Sequence, residues 1–380
     1  MEDKLPIYLD HNATTPLLPQ VVEAMLPYLR DHFGNPSSGH VYGRSAKDAV
    51  ERARAQVAAL LGSDADELFF TGGGTEANNL AIRGVMEARA DRRELITTVV
   101  EHPATARPCD WLEKHGVRVH RVGVDAAGRA RVAEVEAAAG QGTALITVMH
   151  SNKETGVLQP VAEMARVARK VGAVTHTDAA QSLGKVPVRV RELDVDLLSV
   201  AGHKLYAPKG VGALYIRRGT PLTPLVLGAG HEHGVRPGTE NVASIVALGM
   251  ACELAGADLD AVATRVAGLR DRLWELLRTA VPGLALTGHP TLRLPNTLHV
   301  RFPGVAGNTV LEHAPEVAAS TGSACHDGQH AAPAVVVAMG VSSEDAVGSV
   351  RLTLGRGTTV QDVELAAAAL VRAWSARQQT

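Results

Sequence analysis

From about residue 55 to residue 220, short apolar runs alternate with amphipathic segments, and almost every run stops in a small cluster of glycines or polar residues. That alternation predicts an α/β fold built from βαβ units, because parallel strands need long crossovers and bury both of their faces. Strands are expected at residues 67–71, 94–99, 144–149, 173–177, 197–200 and 212–216, with helices between them such as 161–171. Open α/β sheets bind ligands beyond the carboxyl ends of their strands, so the residues after each run are where chemistry is to be sought. There the chain reads Gly72-Gly73-Gly74-Thr75, Glu101-His102, His150-Ser151-Asn152-Lys153-Glu154, Asp178-Ala179-Ala180-Gln181 and Gly202-His203-Lys204.

Beyond about residue 240 the character changes to long helices and separate strand-like pieces near residues 296–302 and 350–354. Across 258–281 an apolar stripe of Leu259, Val262, Val266, Leu269, Leu273 and Leu276 predicts a packing helix. A last helix opens at Thr359-Val360-Gln361-Asp362, where Thr359 suits a capping role. A large domain over 15–256 and a smaller α+β domain from 1–14 with 257–380 accommodate the 380 residues at ~150 per domain. A net charge of -2 with only 4 Phe, 3 Trp and 5 Tyr argues against a nucleic-acid surface. The apolar runs fall short of the ~18 residues that read as a membrane span. The start MEDKLPIYLD lacks a secretory-signal pattern, and Cys109, Cys252 and Cys325 are too scattered for a disulfide framework, so a cytoplasmic location is expected.

Gly72-Gly73-Gly74-Thr75 precedes a helix expected to start near Glu76, where free N–H groups favour an anion such as phosphate; a plain tight turn is the other reading. Lys204 is either a solvated lysine or one desolvated enough to attack a carbonyl. Asp178, at a strand end, needs a cationic partner if buried, and a pyridinium nitrogen is one. Lysine, aspartate and helix N-terminus are together the minimum set for pyridoxal 5'-phosphate, PLP. Cys325 lies in a polar, glycine-bearing segment with His326, Asp327 and Gly328, unlike Cys109 and Cys252, whose apolar contexts suit buried residues. His231 with His233, and His326 with His330, lack the cysteines or carboxylates that complete a metal set.

The stretches Tyr8-Leu9-Asp10-His11-Asn12-Ala13-Thr14-Thr15-Pro16, Gly34-Asn35-Pro36-Ser37-Ser38, Phe70-Thr71-Gly72-Gly73-Gly74-Thr75-Glu76-Ala77-Asn78-Asn79, His176-Thr177-Asp178-Ala179-Ala180-Gln181, Gly202-His203-Lys204 and Arg236-Pro237-Gly238-Thr239-Glu240-Asn241 resemble the cysteine desulfurases and selenocysteine lyases. These are class V members of the PLP-dependent aminotransferase superfamily, of fold type I, and the resemblance runs in order from residue 6 to about 373. It implies that Lys204 holds PLP covalently, Asp178 pairs with the pyridine nitrogen, Gln181 bonds the ring oxygen and His102 stacks on the ring and moves protons. The phosphate would lie against Gly74, Thr75 and His203, with Thr239 arriving from the second subunit of a homodimer. Arg351 would hold the substrate carboxylate, with Asn12 and Lys153 at the substrate. Ser320-Thr321-Gly322-Ser323-Ala324-Cys325 resembles the family's long active-site loop, making Cys325 the nucleophile. The implied reaction converts L-cysteine to L-alanine and leaves sulfur on Cys325 as a persulfide for an acceptor that the sequence does not identify.

Three positions depart from the family pattern. Lys153 stands where a second asparagine is usual, Ala201 where many desulfurases carry a phosphate-binding serine, and Pro103 where a lysine often follows the stacking histidine. Lys153 either adds a positive charge beside the cofactor or turns to Glu154 and solvent. L-selenocysteine is the close alternative substrate. An aminotransferase or carbon-sulfur lyase with Cys325 incidental, and a phosphate-binding interaction protein, are the other classes to test.

Overall fold

The apolar runs align into one sheet, around which the computed structural model describes residues 5–322 and 332–377. β1 (Ile7–Tyr8) precedes that sheet. β2 (Leu68–Thr71), β3 (Glu94–Thr98), β4 (Arg118–Val122), β5 (Thr143–Met149), β6 (Val174–Asp178), β7 (Leu197–Ala201) and β8 (Gly212–Ile216) form it in the order β2-β8-β7-β6-β5-β3-β4. β4, β3, β5, β6 and β7 run parallel, whereas β8 is antiparallel to its neighbours β7 and β2. Successive side chains of a strand point to opposite faces, so Ile96, Ile146 and Leu198 enter one buried cluster while Leu95, Leu145 and Leu197 enter another. Helices cover both faces, which is why the inner strands read as continuous apolar runs rather than alternating ones.

β4 has the sequence RVHRV and was not foreseen as a strand; it is the sheet edge, where exposed arginines are compatible with pairing on one side only. The strand foreseen at 173–177 lies one residue later, so that Asp178 closes β6.

The second core belongs to β9 (Ala285–Leu286), β10 (Thr297–Arg301), β11 (Val317–Ala318) and β12 (Ser349–Thr353). β12-β10-β9 is an antiparallel sheet and β11 pairs parallel with β1. Helices Leu259–Ala280 and Val360–Arg377 bury Val266, Leu269, Leu273, Val363 and Leu370 against it. In the first of these helices Leu277, not Leu276, is the fully buried residue, because the stripe follows its inward face for another turn. Residues 10–15 cross between the two sheets. Asp10 bridges to Thr353 of β12, and Thr15 N donates to His203 O at 3.0 Å.

Candidate active site

A cavity of about 750 Å³ opens where the strand ends of the large sheet meet residues 12–14 and Arg351. After β2 the backbone turns through Gly73 at φ +142° into the helix Gly74–Ala88, which begins two residues before the expected Glu76. Close approach explains the early start. A Cβ on Gly74 would stand 3.0 Å from the Ala201 side chain, and one on Gly212 would meet Val200 O at 2.5 Å and Gly73 at 2.7 Å. Helix and strands β7 and β8 therefore pack closely, and Gly74 and Thr75, in the first turn where N–H groups have no partner within the helix, line the cavity.

Asp178 enters from the end of β6 and is 8% exposed. Its Oδ2 accepts from Asn78 Nδ2 at 2.7 Å and its Oδ1 from Ala180 N at 2.9 Å. Burial holds this carboxyl above its usual range against those two neutral donors, so a cationic ring nitrogen would complete it. Asn78 Oδ1 is buried without a hydrogen bond, a further polar atom aimed at this end. Gln181, also buried, donates from Nε2 to Asn12 O at 2.9 Å.

Lys204 ends the short turn after β7. Its Nζ donates to Asn12 O and Ala13 O, each at 2.6 Å. Burial, followed by the nearby Arg351 cation, lowers its ammonium to about 8, within reach of the neutral amine. His102, whose ring opens onto the cavity, caps the helix Pro103–Lys114. Its Nδ1 accepts from Ala104 N at 3.1 Å, which leaves the proton of the neutral ring on Nε2. Desolvation and the Lys153 and Lys204 charges lower its pKa to about 4. Pro103 occupies the first helical position, where a missing N–H costs nothing. His203, lowered to about 4 by burial and then by Lys204 and Lys209, contacts Thr14 Oγ1 at 3.2 Å.

The other end of the cavity is cationic. Arg351, 6% exposed on β12, pairs through Nη2 with Asp10 Oδ1 at 2.7 Å, and its Nη1 donates to Lys153 O at 3.4 Å. Lys153 lines the cavity while its Nζ stands 3.8 Å from Glu154 Oε1. Asn12 joins the two ends. Its Nδ2 donates to Lys153 O at 3.2 Å and to Thr297 Oγ1 at 3.0 Å, and its N donates to Thr353 Oγ1 at 3.0 Å.

Gly74, Thr75, His102, Lys153, Asp178, Gln181, His203, Lys204, Arg351 and Asn12 thus line one cavity. Thr239 does not; it is exposed, in the segment after Gly238. Cys325, with His326 and His330, lies outside the described residues. Cys109 and Cys252 are buried free thiols, and burial pushes Cys109 up to about 12. Arg356 forms an ion pair with Asp258 away from the cavity. His231 and His233 flank Glu232, whose carboxylate is held by Arg54 at 2.8 Å.

Sequence reasoning passed over Asn78, Asp10, Glu101 and Lys185 as working parts. Asn78 falls one helical turn beyond Gly74, a spacing that places it over the same strand end. Glu101, before His102, accepts from Thr98 Oγ1 at 2.7 Å and from Met149 N at 3.0 Å, and burial pushes it up to about 8.

A lysine lowered by burial, a buried acid and a helix N-terminus thus meet at one sheet end. The chain belongs to the aminotransferase class-V family, whose model matches residues 7–365. Among its relatives is a cysteine desulfurase of Gluconacetobacter diazotrophicus, 45% identical over 362 residues, which cover 94% of this chain and 90% of the relative. A solved structure described as a NifS-like protein superposes with a TM-score of 0.91 at 34% identity, covering 99% of this chain and all of the other. Another, described as SspA in complex with cysteine, gives a TM-score of 0.81 at 34% identity over 91% of this chain and 98% of the other.

Proposed function

We propose that the chain is a PLP-dependent cysteine desulfurase that takes L-cysteine to L-alanine, with Cys325 receiving the sulfur as a persulfide. The carrying observation is the convergence of the Lys204 amine, the Asp178 carboxylate and the Gly74–Ala88 helix N-terminus on three walls of one cavity. The donor set suits PLP: Asp178 for the ring nitrogen, N–H groups of Gly74 and Thr75 with His203 for the phosphate, Gln181 for the ring oxygen and His102 over the ring. When bound, the cofactor supplies an electron sink that makes a substrate α-proton removable and the β-carbon to sulfur bond labile.

Lys204 would hold the cofactor covalently and, as a free amine that burial brings toward neutrality, could take the substrate α-proton. Arg351, braced by Asp10, would take the substrate carboxylate with Asn12 and Lys153 alongside. His102, neutral with its proton on Nε2, can donate a hydrogen bond on the cavity side. The Cys325 thiolate attacks the substrate sulfur; the new sulfur–sulfur bond forms as the carbon–sulfur bond breaks, and its electron pair ends as a C–H bond of alanine.

We place the enzyme in the cytoplasm as a homodimer. Phe33, Val41 and Tyr42 are exposed, and Pro36 and Ser37 border one surface hollow with residues 229–233 and Glu240, next to Thr239 in sequence. Borohydride reduction and peptide mapping test the anchor, with modification expected at Lys204; an unmodified Lys204 overturns the assignment. Alanine formation from cysteine should collapse in Cys325→Ala. Retained selenocysteine turnover in that variant would favour the selenocysteine lyase reading.

A further inference from the structure

Lys185 lies in the turns that follow β6, behind the residues that line the cavity. Its Nζ donates to Gln181 Oε1 and to Asn12 Oδ1, both at 3.1 Å. An ammonium offers three donors and no acceptor, so each amide has to turn its oxygen toward it. That choice decides what the amides present elsewhere. Gln181 is left with Nε2 as its free end, which donates to Asn12 O at 2.9 Å, the same carbonyl that Lys204 Nζ reaches at 2.6 Å. Asn12 is left with Nδ2 toward Lys153 O and Thr297 Oγ1, while Asn296 Nδ2 joins Lys185 on Asn12 Oδ1 at 3.1 Å. Asn12 O, an acceptor, asks for the same orientation of Gln181, so without the Lys185 donors the amide would be held on one side only and its Oε1 would lose its partner.

We infer that Lys185 is a positioning residue: by gripping the oxygens of Gln181 and Asn12 it makes Gln181 show an N–H, not a carbonyl, to the ring oxygen of the cofactor. This deepens the PLP reading above and rests on it. An N–H donated to that oxygen stabilises its anionic form and loosens its hold on the proton of the nitrogen contributed by Lys204; a carbonyl there does the reverse. Burial, and after it the Lys204 and Arg351 charges, lowers the Lys185 ammonium to about 7, so its donor-only form is the one that prevails below that pH.

The test is a pH titration of the absorbance of bound PLP in the loaded enzyme, for wild type, Lys185→Met and Lys185→Arg, and for Lys185→Met combined with Gln181→Leu. Lys185→Met is expected to raise the midpoint by about one pH unit and to weaken PLP binding roughly tenfold. Lys185→Arg, again donor-only, should return the midpoint to within ~0.3 unit, and on the Gln181→Leu background the methionine should add less than ~0.3 unit. An unchanged midpoint in Lys185→Met overturns the inference, and so does an equal rise in the absence of the Gln181 amide, which would mark a simple charge effect. If the methionine variant does not fold, Lys185→Leu, likewise without a donor, takes its place under the same outcomes. Wild type that takes up no PLP would overturn the cofactor reading itself, whereas loaded wild type with an unresponsive Lys185→Met overturns only this step.

Discussion

Asp178 and Arg351 stand at the two ends of one cavity, yet they reach it by different routes. Asp178, Asn78, His102 and Lys204 are all delivered by a single sheet and the helices that follow its strands, within one packed core. Arg351 comes from a strand of the second sheet, its brace Asp10 from 341 residues earlier in the chain, and Lys153 from a loop of the first sheet. The end with Asp178, proposed for the cofactor, is thus built on one sheet, whereas the end with Arg351, proposed for the substrate, is held by hydrogen bonds across a boundary. Asn12, bonded to both sides, is what keeps the two in register.

The sharpest way to break this contrast is at the cofactor end. Lys204→Ala should lower alanine formation from cysteine by ~10³-fold or more and abolish borohydride-fixed cofactor, because it removes both anchor and base. Asp178→Asn should cost roughly 10²-fold in kcat, read by steady-state kinetics, since an amide cannot balance a cationic ring nitrogen as a carboxylate does.

The substrate end should respond in binding first. Arg351→Ala is expected to raise KM for cysteine roughly 10- to 100-fold, the worth of a charged hydrogen-bonded contact, with a smaller change in kcat. A larger loss in kcat than in KM would mean that the boundary also holds Lys204 in place. Lys153→Asn removes one of the cations that lower Lys204, so the Lys204 titration should move upward by a few tenths of a pH unit, measured in the pH–rate profile.

A different effect concerns stability beneath the site. Glu101 is raised in the folded state from 4.5 to about 8, so the folded chain holds a proton there that the unfolded chain has lost. Stability from this group therefore declines as pH rises from about 4.5 through 8. Glu101→Gln should show a melting temperature less sensitive to pH between those limits than wild type; a parallel dependence would remove the argument.

How far each end can be read in advance follows from the same contrast. Gly72–Thr75, His102, Asp178 and Lys204 are legible because each follows an apolar run, and the carboxyl ends of parallel strands necessarily share one edge of the sheet. Asn78 and Lys185 carried a weaker signal, one turn past Gly74 and four residues past Gln181. β4 escaped notice because an edge strand needs no apolar face on its open side. Nothing in the local pattern joins Asp10 to Arg351, or shows that Thr239 stays away from the cavity of its own chain.

The order of amino acids alone determined the layered sheet, the edge on which chemistry gathers and the residue types gathered there, since strand periodicity and crossover geometry are local properties of the chain. Only the tertiary structure decided which atoms face one another: that two lysines share the polar groups of Asn12 and Gln181, and that an arginine from the second sheet closes the cavity of the first. Such pairings arise from packing two cores against each other over hundreds of residues, and a hydrogen bond's direction depends on angles and distances that no stretch of sequence specifies by itself.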